Sequence, residues 1–126
     1  MAAKNLPGAV VAAIDASTIL RVRAGADSDH RFIGIWAVVI DGRVFARSWR
    51  QKAGGWYRTF LDDPRGAIQV GDRTIRVRVV GVRGERLRDA VEDRYAEKYA
   101  TPGSRKYVRG FRTNRRRDTT VEFVPR

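Results

Sequence analysis

Cysteine is absent from this chain, and histidine and methionine occur once each. Without thiols there is no disulfide framework, no thiolate metal site, no iron–sulfur cluster and no cysteine nucleophile. The single histidine, His30, sits in the polar run Asp27-Ser28-Asp29-His30. That composition marks an exposed loop; serine–histidine catalysis would have to use His30, and His30, Asp27 and Asp29 make a weak metal-binding signal. Also missing are a GxGxxG turn after a strand and a Walker-type phosphate loop, so the common nucleotide motifs do not apply. No apolar run approaches the roughly 20 residues that span a bilayer. The stretch from Gly8 to Ile14 is too short for a signal peptide, follows Pro7 and is broken by Asp15. The expectation is a cytoplasmic protein that does not enter a membrane.

What is present is charge, almost all of it arginine. The formal net charge is +12 over 126 residues, with 22 arginines against 4 lysines. An excess of this size attracts polyanions, whether nucleic acid, anionic lipid or a charged cofactor. A chain of this length reads as one domain, 1–126, able to bury about two-thirds of the surface its unfolded form exposes.

Pro7 starts a short helix to about Ala16 that buries Val10, Val11 and Ile14. Thr18 to Arg23 reads as a strand. Ile33–Ile40 and Arg43–Trp49 flank Asp41-Gly42, the two-residue chemistry of a type I′ hairpin. That turn sets Val39 opposite Val44, Val38 opposite Phe45, Ala37 opposite Ala46 and Trp36 opposite Arg47, which leaves both faces of the hairpin apolar. Such a hairpin belongs in a barrel wall or sheet centre whose outer face is covered by a helix, a cofactor or a second protomer. Trp56 to Asp62 has helical spacing up to Pro64. A second hairpin turns at Gly71-Asp72, with Ile75, Val77 and Val79 on one face and Thr74, Arg76 and Arg78 on a solvated one. Glu85 to Tyr99 is an amphipathic helix with the stripe Leu87, Val91, Tyr95 and Tyr99. The segment from Thr101 to Arg117 carries +7 and no acid, and reads as an internal basic loop before a last strand, Thr119 to Val124. The fold class is α+β, with a short-stranded, mainly antiparallel sheet closing into a barrel.

The segment from Arg47 to Trp56 has the parts of a phosphate site. Arg47, Arg50 and Lys52 are cationic donors, Ser48 stands at the strand end, Gly54 and Gly55 allow close backbone approach, and a helix begins at Trp56. A solvated basic turn that caps a short helix uses the same residues. Trp36, Trp49, Trp56, Tyr57 and Phe60 supply a plane for a flat ring, or a core. No general acid or base stands out, and no catalytic residue is assigned; hydride or electron transfer by a cofactor fits that absence.

The hairpin from Ile35 to Ser48, the Gly54-Gly55-Trp56-Tyr57-Arg58 segment and Asp63-Pro64 before a strand resemble the flavin-binding split-barrel superfamily, which includes pyridoxamine 5′-phosphate oxidases and deazaflavin-dependent nitroreductases. Within it, the Trp-Tyr-Arg motif, the helix end Tyr95-Ala96-Glu97-Lys98-Tyr99 and the final Val124-Pro125-Arg126 are similar to a small uncharacterised bacterial family. The resemblance implies a six-stranded split barrel with two or three short helices. It also implies a cofactor phosphate held by Lys52, with Arg50, Gly54 and Gly55 beside it. Trp49 and Gln51 depart from the more regular loop of the relatives.

The expected function is binding of flavin mononucleotide or a deazaflavin by a homodimer, as an oxidoreductase acting on a small organic substrate. Two alternatives use other chemistry: a nucleic-acid binder gripping phosphates with the 105–117 loop while Tyr107 and Phe111 stack on bases, and a non-catalytic small-ligand-binding barrel.

Overall fold

A computed structural model describes residues 5–126. Helix α1 (Gly8–Ala16) leads into strands β1 (Leu20–Ala24), β2 (Ile33–Ile35), β3 (Ala37–Ile40) and β4 (Arg43–Ala46). Helix α2 (Trp56–Asp62) is followed by β5 (Arg65–Val70) and β6 (Arg73–Gly81). Helices α3 (Glu85–Lys98), α4 (Arg105–Gly110) and α5 (Asn114–Arg117) precede β7 (Val121–Pro125).

All pairings are antiparallel, in the order β2-β1-β5-β6-β7-β4-β3. The outermost strands, β2 and β3, are consecutive in the chain and separated only by Trp36. A bend there carries the backbone from pairing with β1 to pairing with β4, and the sheet becomes a nearly closed barrel. The expected run Ile33–Ile40 is thus two strands, which makes seven strands in place of six. The helices number five in place of two or three among the described residues, because the basic segment is helical where a loop was expected.

The first hairpin has the register its turn dictates, with Val39 opposite Val44, Val38 opposite Phe45 and Ala37 opposite Ala46. Asp41 and Gly42 have φ of 51° and 74°, the two positive values a type I′ turn requires. Trp36 and Arg47 lie beyond this ladder. One face of the hairpin (Ala37, Val44, Ala46) enters the barrel core with Val22, Ile68, Val77 and Phe123, closed at one side by α1 through Val10 and Ile14. The other face (Val38, Phe45) enters a second core with Val91, Tyr95, Tyr99 and Phe111. Each fully buried large apolar side chain contributes roughly 1.5–3 kcal/mol, so both faces stabilise the fold. The outer face is therefore covered by α3 and the end of α4 within the same chain, and it does not need a second protomer.

The bend at Trp36 removes several backbone groups from the sheet ladder, and the end of α3 supplies partners for them. The Tyr95 hydroxyl donates to the Trp36 carbonyl at 2.8 Å and accepts from the Arg47 amide at 3.0 Å. The Tyr99 hydroxyl accepts from the Ala37 amide at 3.2 Å and donates to the Thr18 carbonyl at 2.7 Å. The Lys98 ammonium donates to the carbonyls of Ala37 and Ile14, at 2.8 and 3.1 Å. Buried backbone groups must be paired, and this gives the Tyr95–Tyr99 helix end its structural role.

Candidate functional site

Where the strand bends at Trp36, the wall of the barrel opens into a cleft of about 460 Å³. Its apolar walls come from Ile33, Ile35, Trp36, Trp49, Tyr107 and Phe111, and Arg50 and Lys52 bring cations to it. Trp36 is stacked on Tyr99, with ring centroids 4.1 Å apart and planes within 6°. Trp49 is held by edge contacts with Tyr107 and Phe111 and by the Arg116 guanidinium, 3.7 Å from its ring centroid. Both indoles are therefore fixed by neighbours before any ligand arrives.

The residues of the expected phosphate segment divide into two groups. Arg47 is buried, with all its bonds made inside the protein: to Thr120 Oγ1 at 2.8 Å, to the Arg88 and Phe111 carbonyls at 2.8 and 2.9 Å, and to Glu92 at 3.1 Å. Burial pulls its pKa below the usual arginine value while Glu92 pushes it back. This guanidinium ties β4 to α3, to the end of α4 and to the start of β7. Ser48 is buried too. Its amide donates to Thr119 Oγ1 at 2.8 Å and its hydroxyl to the Arg50 carbonyl.

Arg50 and Lys52 are exposed at the cleft, and among the described residues neither forms an ion pair. The chain between Lys52 and Gly55 makes a tight turn: the Gly55 amide donates to the Lys52 carbonyl at 3.0 Å, and Gly54 has φ of 78°. Gly54 thus serves the turn, as expected of glycine at the third position of a type II turn. The Gly55 amide is occupied within it. Trp56 reaches the cleft, yet its ring also packs near Phe60 and Phe123 against the barrel core. Tyr57 and Phe60 face a different depression and take no part in the cleft.

Tyr107 and Phe111 join the cleft because the basic segment is folded. Their spacing of four puts them on one face of α4, a helical period legible inside a run otherwise dominated by charge. The segment is also less unpaired than its sequence. Arg117 reaches Glu85 and Asp89, at 3.0 and 3.1 Å, as well as Glu92. Arg88 on α3 pairs with Asp118 at 3.1 Å. Among the described residues no His, Asp or Glu cluster is placed to hold a metal, and no helix is long and apolar enough to cross a membrane.

The chain is thus a nearly closed, bent-strand antiparallel barrel with an aromatic cleft beside a basic turn. The profile of a family described as uncharacterised proteins conserved in bacteria (DUF2255) matches residues 10–123, and the chain belongs to that family. No curated protein matches the chain. A conserved hypothetical protein from Mycobacterium tuberculosis superposes with a TM-score of 0.59 at 17% identity, over 98% of this chain and 82% of that one. An F420-H2 dependent reductase superposes with a TM-score of 0.57 at 20% identity, over 85% and 93%. A FAD-binding protein from Mesorhizobium loti does so at 0.55 and 13%, over 93% and 86%. A further structure, described as a domain-swapped dimer, reaches 0.55 at 21%, over 84% and 78%. At these identities the likeness is one of fold.

Proposed function

We propose that the cleft binds a flavin-type cofactor, flavin mononucleotide or a deazaflavin, and that the protein is an oxidoreductase acting on a small organic substrate. The observation that carries this reading is the pairing, in one cleft, of fixed indole rings with the unpaired cations Arg50 and Lys52. An apolar aromatic wall suits a flat tricyclic ring, and two solvent-facing cations suit the phosphate at its other end. The structural neighbours described as a FAD-binding protein and an F420-H2 dependent reductase support the same choice of ligand.

The residues divide the work as follows. Trp36 and Trp49 orient the ring, Ile33 and Phe111 exclude water from it, and Lys52 and Arg50 neutralise the phosphate. Bound there, the cofactor supplies hydride or electron transfer, and the protein supplies position and dryness.

Titration with flavin mononucleotide and with a deazaflavin, followed by cofactor fluorescence, tests the proposal. Lys52→Ala is expected to weaken binding about 10- to 150-fold, the equivalent of a charge-assisted hydrogen bond of roughly 1.5–3 kcal/mol, while leaving the apo melting temperature unchanged. Arg58→Ala is the control: that exposed side chain lies outside the cleft and reaches only the Gln51 carbonyl, at 3.4 Å. Failure of the wild type to bind either cofactor overturns the proposal.

A further inference from the structure

A patch of uncompensated charge lies on the outer face of the barrel formed by β1, β5 and β6, away from the cleft. Outward positions on these strands are Arg21 and Arg23 on β1, Arg65 and Gln69 on β5, and Thr74, Arg76 and Arg78 on β6. The register sets arginine against arginine: Arg65 is the direct partner of Arg78, while Arg23 and Arg76 flank Ala67 from the two sides. Like charges directly opposite each other in a sheet are destabilising. Arg65 is relieved by Asp63 at 3.0 Å. Arg21, Arg23, Arg76 and Arg78 form no ion pair among the described residues. In the +7 segment only Arg112 and Arg117 reach the acids of α3 among the described residues, and its other cations lie on short helices and not on a flat ladder of strands.

We propose that this face docks on the phosphate backbone of double-stranded nucleic acid. Guanidinium groups present paired donors that match phosphate oxygens. Residues two apart on a strand are spaced by about 6.7 Å and neighbouring strands by about 4.8 Å, so the four arginines without an ion pair form a grid of charge and not a point. Single strands are disfavoured because the one aromatic ring that meets these arginines among the described residues, Phe32, is covered by the Arg23 guanidinium, 4.6 Å from its centroid, and so offers no open platform for a base. An anionic membrane is disfavoured because the centre of the face has no tryptophan, phenylalanine or leucine to enter the lipid boundary. With no side chain shaped to read base edges, binding is sequence-independent.

The test is fluorescence anisotropy of a labelled mixed-sequence 20-base-pair DNA and of the same sequence as RNA duplex, across a salt series. Four contacts predict a log–log salt slope of about −3.6, at about −0.9 per phosphate neutralised. R76E/R78E is expected to weaken binding at least tenfold and to flatten the slope by about 2, with either duplex. Because R78E also places a carboxylate opposite Arg65, the variant should melt no lower than wild type. R76A/R78A repeats the measurement without new charges. R105E/R109E on α4 should leave the affinity within twofold. Absence of duplex binding, equal loss in the α4 variant, or binding to phosphatidylserine vesicles but not to duplex would each overturn the proposal.

Discussion

A single hydroxyl, that of Tyr95, holds together both ends of the bent hairpin. Tyr95→Phe leaves the Trp36 carbonyl and the Arg47 amide without their partner in a buried site, and this is expected to cost about 1–3 kcal/mol in urea unfolding. Its neighbour Tyr99 gives the fold an alkaline limit. Burial pushes the Tyr99 phenol from 10.0 up to about 12, and Tyr95 rises for the same reason. The folded state thus holds protons that the unfolded state releases. Stability is complete below pH 10 and falls between pH 10 and 12, an outcome that unfolding curves along that range will check. Arg47 shows what residue types in sequence could not convey. Beside Arg50, Lys52 and two glycines it reads as a ligand cation; in three dimensions it lines the cleft, with its guanidinium bonded to Glu92, Thr120 and the Phe111 carbonyl. Lys52, an ammonium and not a planar guanidinium, is exposed at the same cleft.

At the scale of elements, structure set by neighbouring residues is legible in the sequence and structure set by distant ones is not. Hairpin register follows from two residues, Asp41 and Gly42, so every expected pair from Ala37 to Val44 is present. The bend at Trp36 has no glycine or proline to announce it, because its partners come from α3, some 60 residues further along. The basic segment misled in a similar way. Seven like charges suggested a loop, but the acids that offset Arg117 lie on the helix before it, and Arg116 spends its charge on the face of Trp49. The docking of α4 depends on Gly110, where an added methyl group would overlap the six-membered ring of Trp49. Gly110→Ala is therefore expected to lose about 1–3 kcal/mol of stability. It should also displace Trp49 from the cleft, visible as a shift in tryptophan emission and a weaker cofactor affinity. A variant with native emission and affinity would show that α4 does not position this wall.

For the whole molecule, oligomerisation is the property least dependent on the core. The second core covers the hairpin, yet Ile19 and Ile33 remain exposed beside the cleft, 45% and 44% accessible. We expect a homodimer that buries them, giving twice the chain mass in light scattering at micromolar concentration, with Ile33→Glu shifting it to monomer. The strand order has a consequence for how the protein comes into being. β7 lies between β6 and β4, and so among the described residues is the only strand through which the β3–β4 hairpin joins the β1-β5-β6 half of the sheet by ladder hydrogen bonds. A ribosome delivers that strand after every other element of the barrel. Until it emerges, the nascent chain carries two open sheet edges, one on β4 and one on β6, each ready to recruit a neighbouring chain. The barrel therefore cannot close before β7 takes its place, and pairing of β7 with both edges removes them together.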